Sequence, residues 1–305
     1  MTITGAGRFA PSPTGSLHLG NLRTALTAWL FARSAGARFL MRVEDLDSGR
    51  ARPRFEHEQL EDLDAIGLDW DGPVVRQSER RDRYQRAIEA LAARDLLYGC
   101  FCSRAEIREA ASAPHGPLPE GAYPGTCREL GAAELRTRRA SGRPPALRVR
   151  AGAARIDFED RRLGPHSGIV DDFVVRRGDG VPAYNLAVVV DDGEQGVTEV
   201  VRGADLLETT PRQLLLGRLL GLERPVYAHV PLVLAPDGSR LAKRHGAVTL
   251  RDRPEGPAGV LSALAATLGL ADAGEPVTQA LLLARFDPVR LPREPTRLSA
   301  AALAR

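Results

Sequence analysis

The clearest pattern of apolar and polar residues follows a short turn near the start of the chain. Apolar residues recur at helical spacing after Gly20, and Gly36 stands where a helix commonly ends. Before the helix, Arg8-Phe9-Ala10 is typical of the end of a strand, and Pro11 and Pro13 stiffen the turn that follows it. The pattern therefore predicts a strand, a tight turn and a helix whose N-terminal N–H groups can hold a phosphate.

The rest of the chain alternates between strand-like and helical patterns. A second strand over residues 38–44 ends at Glu44, and open α/β sheets bind their ligands at the carboxyl ends of strands. A later helix begins at Thr210-Pro211, with a side-chain cap and a proline in its first turn. Further helices are predicted at 55–66, 81–97, 261–270 and 278–286, strands or buried segments at 171–175 and 184–192, and a strand at 199–203.

Composition limits where the protein works and what it binds. A chain of 305 residues has room for one large or two modest domains with a real core. It contains no apolar run of 18 residues and no signal-peptide pattern at its start, which predicts a soluble, cytoplasmic protein. The net charge of +3 permits a polyanionic partner without requiring one.

The basic residues are strongly skewed towards arginine. Of the 42 lysines and arginines, only Lys243 is a lysine, and we attribute this skew to a coding bias. A lysine that persists against such a bias is a candidate for a site where a compact ammonium group cannot be replaced by a planar guanidinium. Chance survival of this lysine is the alternative.

The three cysteines, Cys100, Cys102 and Cys127, lie within one short window of the sequence. In a cytosolic protein such a cluster favours metal binding over a disulfide, and the spacing suits zinc. Three sulfurs leave the zinc tetrahedron one ligand short. Tyr123, His115 or water could complete it, and generic chemistry favours the imidazole. Three reduced thiols without a metal are the alternative.

A family resemblance lies in the residues around the first turn. The chain lacks the glycine patterns of dinucleotide-binding folds and P-loops. Instead, His18-Leu19-Gly20-Asn21 resembles the His-Ile-Gly-His signature of class I aminoacyl-tRNA synthetases, and residues 8–15 are similar to glutamyl-tRNA synthetases specifically. The resemblance implies that His18 and the helix N-terminus hold the phosphates of ATP while an amino-acid carboxylate attacks the α-phosphorus. A proline-rich turn with a surface histidine is the alternative.

Two later segments support the resemblance. Residues 41–47 are similar to the same family, in which Glu44 would take the α-amino group of the substrate; a solvated acidic turn is the alternative. Residues 239–247 resemble the second class I signature, Lys-Met-Ser-Lys-Ser, although Arg240 and Ala242 replace its first lysine and its serine. Lys243 stands at the second lysine, which the family uses on the phosphates as charge develops.

The resemblance spans roughly residues 7–250 and implies an architecture. We expect an α/β fold, with a Rossmann-like parallel sheet, a zinc-binding insertion and a short helical C-terminal region. Such an insertion approaches the tRNA in this family, so arginines in it could contact phosphates, although a solvated basic face is equally expected. These arginines are Arg128, Arg136, Arg138 and Arg139. The two halves of the catalytic domain would occupy 1–97 and 166–250, the insertion 98–165, and the C-terminal region, without an anticodon-binding domain, 251–305.

Within the family, the short chain is similar to the glutamyl-queuosine tRNA(Asp) synthetases, which are truncated relatives of glutamyl-tRNA synthetases. Residues 123–127 look like part of the zinc site of these relatives, which favours Tyr123 as the fourth ligand. The resemblance implies that glutamate and ATP form glutamyl-adenylate without tRNA. The glutamyl group then passes to the queuosine base in the anticodon of tRNA(Asp).

The resemblance also implies a set of binding residues. Arg8 and Arg202 would each pair with one carboxylate of glutamate in a bidentate manner, and Glu44 would take its ammonium group. His18 and Lys243 would stabilise the transferring phosphoryl group. The predicted sets are Arg8, Phe9, Ala10, Pro11, Ser12, Glu44, Tyr184 and Arg202 for glutamate; His18, Gly20, Asn21 and Lys243 for ATP with Mg²⁺; and Cys100, Cys102, Tyr123 and Cys127 for Zn²⁺.

Two other functions stay open from the sequence. One is a short glutamyl-tRNA synthetase that charges tRNA(Glu). The other is a non-catalytic tRNA-binding paralogue, for which Arg240 and Ala242 argue weakly and against which His18 and Lys243 argue. In each case we expect a monomer that does not contact a membrane.

Overall fold

The computed structural model describes residues 5–111, 118, 122–239, 241 and 248–297. Within them it contains twelve strands and nine helices. The strands are β1 (Ala6–Phe9), β2 (Arg38–Val43), β3 (Val75–Arg76), β4 (Leu97–Cys100), β5 (Ala146–Val149), β6 (Arg155–Asp160), β7 (Gly164–Ile169), β8 (Val174–Arg176), β9 (Glu199–Gly203), β10 (Val226–Val230), β11 (Val233–Leu234) and β12 (Thr296–Arg297). The helices are α1 (Leu19–Ser34), α2 (Pro53–Ala65), α3 (Arg81–Ala92), α4 (Arg104–Ala111), α5 (Ala132–Ala140), α6 (Tyr184–Glu194), α7 (Thr210–Leu220), α8 (Gly256–Thr267) and α9 (Gln279–Arg285).

The parallel strands form two sets that meet side by side. β1 pairs with β2, and β2 pairs with β3. β9 pairs with β10, and β10 pairs with β6, again in parallel. The two sets meet where the Thr198 N–H donates to the Ala6 carbonyl oxygen at 2.9 Å. β7 lies antiparallel beside β6 at the far edge. The predicted α/β fold with a parallel sheet is therefore confirmed.

Two hydrophobic clusters pack against these strands. One holds α1, α8 and α9 around side chains such as Leu22, Leu26 and Leu30, which are completely buried. The other holds α3, α6 and α7 and includes Ile88 and Leu215. Each buried leucine of this kind contributes roughly 1.5–3 kcal/mol to the free energy of unfolding. Because α1 is buried along most of its length, its N-terminus is fixed beside the end of β1.

The first of the three cysteines lies in a separate sheet. β4, β5 and β8 pair in antiparallel orientation, and Cys100 ends β4. This sheet does not follow the boundary predicted at residue 165. β6 lies inside the predicted insertion of 98–165 but pairs with β10, whereas β8 lies outside that range but pairs with β5. The division of the chain into domains stays a prediction.

Two predictions of secondary structure are wrong. The helix predicted over 81–97 ends at Ala92, because Asp95 takes a left-handed conformation (φ 52°) and the chain then enters β4. Residues 186–192 are buried, as expected, whereas Tyr184 is exposed; the run 184–192 forms part of helix α6 and not a strand. A short run of apolar residues fits a buried helix as well as a buried strand, and periodicity alone cannot separate the two.

The predicted helix ends agree with the structure at most positions. Gly36 follows α1 with a φ of 64°, which a glycine adopts without strain. Thr278 caps α9, its hydroxyl accepting from the Leu281 N–H at 3.2 Å. The predicted cap at Thr210 is wrong, since this residue is the first of α7 and its hydroxyl accepts instead from Arg202.

The helices of the described residues are short. The longest of them is α1, with 16 residues. No helix in this part of the chain is both long enough and apolar enough to cross a bilayer.

Candidate active site

Most of the predicted binding residues surround one cavity at the carboxyl ends of β1, β2 and β9. Its volume is about 320 Å³. Pro11 and Ser12 do not line it, and Ser12 is exposed. Lys243 lies outside the described residues, together with Arg240 and Ala242. The predicted residues that line the cavity are Arg8, Phe9, Ala10, His18, Gly20, Asn21, Glu44, Tyr184 and Arg202.

His18 caps the helix that begins at this cavity. Its Nδ1 atom accepts from the Asn21 N–H at 3.2 Å, while the side-chain oxygen of Asn21 accepts from the His18 N–H at 3.2 Å. Burial lowers the pKa of His18 below its usual value, and a backbone hydrogen bond opposes this effect only in part. The ring is therefore neutral near pH 7. Because Nδ1 accepts a hydrogen bond, we assign the ring proton to Nε2, which can donate it to an anion.

Gly20 and Asn21 both serve this arrangement of the imidazole. A Cβ atom at Gly20 would lie 3.0 Å from Nδ1 and Cε1 of His18, closer than side chains normally approach. Asn21 stands where the family signature has a second histidine, and it supplies half of the reciprocal cap. The departure from the signature at Asn21 thus has a structural role at the N-terminus of α1.

Arg8 is almost completely buried at the cavity wall. Its Nε atom donates to Asp192 Oδ1 at 3.3 Å and its Nη1 atom to the Val201 carbonyl oxygen at 3.5 Å. Burial opposes ionisation of Asp192, but the charges and hydrogen bonds of Arg8 and Arg42 hold its pKa below the usual value. Two of the five N–H groups of Arg8 therefore have partners among the described residues, and three remain for a ligand.

Glu44 places a buried carboxylate at the same cavity. Its N–H donates to the Pro11 carbonyl oxygen at 2.9 Å, which ties the end of β2 to the turn after β1. Its Oε1 atom accepts from Arg42 Nη2 at 3.4 Å. Burial raises the pKa of Glu44, and the guanidinium groups of Arg42 and Arg8 act in the opposite direction. A carboxylate in this position is stabilised by a cationic ligand.

A network of buried charges behind Arg8 and Glu44 was not predicted from the sequence. Arg42 is fully buried, and its Nη1 atom donates to Asp192 Oδ1 at 2.7 Å and to Gln195 Oε1 at 2.8 Å. Its Nε atom lies 3.7 Å from Asp191 Oδ2. The signal was present in the sequence, because charged residues inside an apolar strand and an apolar helix must find partners when they are buried.

Arg202, at the end of β9, is held by neutral groups. Its Nε atom donates to His229 Nε2 at 3.0 Å and its Nη1 atom to Gln213 Oε1 at 2.7 Å. Its Nη2 atom donates to Thr210 Oγ1 at 2.8 Å and to the Leu206 carbonyl oxygen at 3.3 Å. Burial lowers the pKa of Arg202. These bonds use four of its five N–H groups, so the predicted bidentate pairing with a carboxylate would require one of them to break.

The cysteine cluster brings together the donor atoms that the sequence predicted. The three sulfur atoms of Cys100, Cys102 and Cys127 lie within 4.8 Å of one another. The Tyr123 hydroxyl oxygen lies 3.4 Å from Cys100 Sγ and 3.7 Å from Cys102 Sγ. Zinc–sulfur bonds of about 2.3 Å place the sulfurs of a tetrahedral site about 3.8 Å apart, so this set fits zinc. His115 lies outside the described residues.

The protonation of this cluster affects how it would bind a metal. Burial and the neighbouring Cys127 raise the pKa of Cys102 to about 12. Burial and the neighbouring Cys100 raise the pKa of the Tyr123 hydroxyl above its usual value. Without a metal these two groups are therefore protonated at neutral pH, and a metal that binds them must displace protons.

A larger cavity, of about 590 Å³, lies between α6, α7 and the β6–β10 edge. None of the predicted binding residues lines it. Its wall includes Asp192 and Gln213, which contact Arg8 and Arg202 respectively. Because the histidine, the two arginines and Glu44 line the smaller cavity, we place the candidate active site there.

Comparisons with known proteins identify a family for the chain. A family model described as tRNA synthetases class I (E and Q), catalytic domain, matches residues 6–266. A protein of Nocardia farcinica named glutamyl-Q tRNA(Asp) synthetase is 62% identical over 297 residues, which cover 96% of this chain and 93% of the relative. A protein of the same name from Symbiobacterium thermophilum is 52% identical over 313 residues, with 98% of this chain and 97% of the relative covered.

A solved structure extends the similarity to the fold. The crystal structure of a glutamate tRNA ligase from Elizabethkingia meningosepticum, in complex with its amino acid, superposes with a TM-score of 0.82 at 30% sequence identity. The match covers 98% of this chain and 68% of that ligase.

Proposed function

We propose a function for this chain from its family, since the chain belongs to the glutamyl-Q tRNA(Asp) synthetases, within the class I tRNA synthetases (E and Q). The family predicted from the sequence motifs is confirmed. The chain is an ATP-dependent ligase that activates glutamate to glutamyl-adenylate without tRNA. It then transfers the glutamyl group to the queuosine base in the anticodon of tRNA(Asp).

The observation that carries the proposal is the arrangement of charges in the 320 Å³ cavity. Glutamate carries two carboxylates and one ammonium group. The cavity has two buried guanidinium groups, those of Arg8 and Arg202, and one buried carboxylate, that of Glu44. Each charge of the substrate therefore has a counterpart. Glutamine lacks one of the two carboxylates and would leave a buried guanidinium unpaired, which favours glutamate.

The two arginines contribute differently to this recognition. Arg8 keeps three N–H groups that have no partner among the described residues, and can take one carboxylate in a two-point contact. Arg202 keeps one such N–H group but forms no ion pair within the described chain, so its positive charge attracts the other carboxylate. Phe9 and Tyr184 border the same space. Pro11 acts through its bond to Glu44.

The phosphates of ATP would bind at the N-terminus of α1. This end offers the N–H group of Gly20, a positive dipole end and the Nε2–H of His18. An α-carboxylate oxygen of glutamate forms a bond to the α-phosphorus, and the bond from that phosphorus to pyrophosphate breaks. Lys243 would stabilise the charge that develops on the leaving phosphates. Mg²⁺ would accompany ATP, and we assign no residue to it.

Zinc would be held by Cys100, Cys102 and Cys127, with Tyr123 as the fourth ligand and His115 or water as the alternatives. The donor set and its spacing support this assignment. A bound zinc ion supplies a cross-link between β4 and the segment near residue 127, which orders the region predicted to face the tRNA. We place the activity of the chain in the cytoplasm and propose that it acts as a monomer.

A glutamate-dependent ATP–pyrophosphate exchange assay without tRNA tests the first half of the proposal. We expect exchange with glutamate and little exchange with glutamine. A non-catalytic tRNA-binding paralogue would show no exchange under any condition. A glutamyl-tRNA synthetase that needs tRNA for activation would show exchange only after tRNA(Glu) is added. This second candidate is favoured by the 30% identity to a glutamate tRNA ligase.

A further inference from the structure

Two buried residues form a chain of hydrogen bonds that ends on Arg202. His229 Nδ1 lies 2.6 Å from Asp160 Oδ2, and the Arg202 Nε atom donates to His229 Nε2 at 3.0 Å. All three side chains are at most 4% exposed. Neither Asp160 nor His229 lines the substrate cavity, so any effect they have on a substrate passes through Arg202.

The chain runs across three neighbouring parallel strands. Asp160 ends β6, His229 lies in β10, and Arg202 lies in β9 directly opposite His229 in the strand register. β10 pairs with both of its neighbours, which makes the row rigid. The ring of Tyr227 lies parallel to that of His229, with 6.0 Å between the centroids. The imidazole is therefore fixed in place on a sheet and not on a loop.

The hydrogen-bond partners determine where the proton of the imidazole lies. Asp160 accepts from the backbone N–H groups of His229, Arg162 and Leu163 in addition to the ring, as expected of a carboxylate. Its short contact to Nδ1 then requires a proton on Nδ1. The other nitrogen, Nε2, keeps a lone pair, and this lone pair accepts the Nε–H of Arg202. A proton on Nε2 would point one donor at another. Thr210 Oγ1 also lies 3.3 Å from Nε2, but it already accepts from Arg202 Nη2.

We propose that Asp160 and His229 are positioning residues that hold the guanidinium of Arg202 in the orientation that receives a carboxylate of glutamate. The inference rests on the proposed function, because Arg202 is assigned to glutamate there. The Asp160–His229 pair fixes the Nε edge of the guanidinium, while Gln213 and Thr210 hold the Nη atoms. These contacts leave one N–H group of Arg202 unused, an Nη1–H, and together they fix the direction in which it points.

Two amide substitutions at His229 separate positioning from simple packing. His229→Gln can place an oxygen near the Nε2 position and accept from Arg202. His229→Asn reaches only the Nδ1 position, so it can bond Asp160 but leaves the Arg202 Nε–H without an acceptor. We expect the KM for glutamate to rise about 10- to 100-fold in His229→Asn, as for a buried charged donor without an acceptor, and no more than about threefold in His229→Gln. The KM for ATP should stay near the wild-type value in both variants.

A third substitution reverses the tautomer and leaves the imidazole in place. Asp160→Asn can donate to His229 Nδ1, which moves the ring proton to Nε2. The Nε2–H then faces the Nε–H of Arg202, and two donors cannot form a hydrogen bond with each other. We expect its KM for glutamate to rise as in His229→Asn. His57→Asn, at an exposed histidine of α2, is the matched control and should leave the KM unchanged.

The measurements are ATP–pyrophosphate exchange and the ¹⁵N NMR spectrum of the His229 ring in the full-length protein. We expect the Nδ1–H tautomer in the wild type and the Nε2–H tautomer in Asp160→Asn. Equal KM values for glutamate in His229→Asn and His229→Gln would overturn the proposal. So would a wild-type ring with its proton on Nε2. A wild type that shows the Nδ1–H tautomer but does not activate glutamate would contradict the proposed function. The spectrum would in that case still support the hydrogen-bond chain from Asp160 through His229 to Arg202.

Discussion

The substrate cavity and the cysteine cluster both bury polar groups, and the protein satisfies them in different ways. At the cavity, Arg8 and Arg42 share the carboxylate of Asp192, and Arg202 has four hydrogen-bond partners. The surrounding strands pack against two large hydrophobic clusters. At the cysteines, the buried cluster among the described residues is small: Tyr98, Cys100, Tyr123 and Cys127, with Cys102, Ile107 and Leu130 packed against it.

This difference indicates which region needs a ligand in order to fold. The cavity is held in shape by side chains of the chain itself, so we expect glutamate to meet a site that is already formed. Among the residues that the structure describes, the cysteine region buries few apolar side chains, and its thiols and phenol converge on one another. A metal ion there would contribute stability directly. We therefore expect substitutions at the cavity to reduce activity and leave the fold intact. Substitutions at the cysteines should destabilise the fold and leave the activation of glutamate largely intact.

The largest effect is expected from Arg8→Ala. The substitution leaves a substrate carboxylate desolvated and without its partner, which costs roughly 2–5 kcal/mol of glutamate recognition. Asp192 keeps its 2.7 Å contact with Arg42, so the melting temperature should change little. Exchange kinetics with varied glutamate and ATP check the prediction. Arg33→Ala, which removes ion pairs with Asp69 and Asp71 outside the cavity, is the matched control. A loss confined to ATP binding would contradict the assignment of Arg8.

A smaller loss is expected from Lys243→Arg, at the residue proposed to act on the phosphates of ATP. The charge is kept, but a planar guanidinium cannot occupy the position of a compact ammonium group, so adenylate formation should fall on the order of 10²-fold. The affinity for glutamate, measured by calorimetry, should change little. Near wild-type exchange rates in this variant would remove the argument that the lone lysine is retained for chemistry.

At the cysteine cluster, Cys100→Ser tests whether the chain binds zinc. We expect about one zinc per chain in the wild type and loss of most of it in the variant, because one of three thiolate ligands is removed. Elemental analysis and thermal unfolding measure the two effects. Glutamate-dependent exchange should stay within about threefold of wild type, since the adenylate pocket lies on other strands. Wild-type protein without zinc would refute the metal site.

The smallest effect is expected from Tyr123→Phe, which sharpens the assignment of the fourth ligand. Loss of a phenol ligand should weaken zinc binding by about tenfold, less than loss of a thiolate. Tyr98→Phe is the matched control, because Tyr98 lies in the same cluster but its hydroxyl donates to Asp172. Competition with a zinc chelator measures both variants. Unchanged affinity in Tyr123→Phe would point to His115 or water.

The same comparison shows what could be predicted from the sequence. His18, Gly20 and Glu44 lie in short motifs that carry both the turn and the chemistry, so their meeting at one cavity could be predicted. The cysteines could be predicted from spacing alone. Short sequence motifs were sufficient in these cases, because residues that are close together in the chain define their own local geometry.

The partners of the two arginines could not be predicted in this way. Asp192 lies 184 residues from Arg8, and His229 lies 27 residues from Arg202 on another strand. These pairs form only when β1, β9, β10 and α6 are assembled. The run 184–192 was also ambiguous between helix and strand, and its identity as α6 decides that Asp191 and Asp192 face the sheet arginines. Tertiary packing, and not local pattern, fixes these contacts.

The most direct test of the account compares three acceptors for labelled glutamate. They are tRNA(Asp) with queuosine, tRNA(Asp) with unmodified guanosine at the same position, and tRNA(Glu). The account predicts that adenylate forms without any tRNA and that label passes only to tRNA(Asp) with queuosine. Substantial labelling of tRNA(Glu), or equal labelling of the two forms of tRNA(Asp), would show that the acceptor assigned to this chain is wrong.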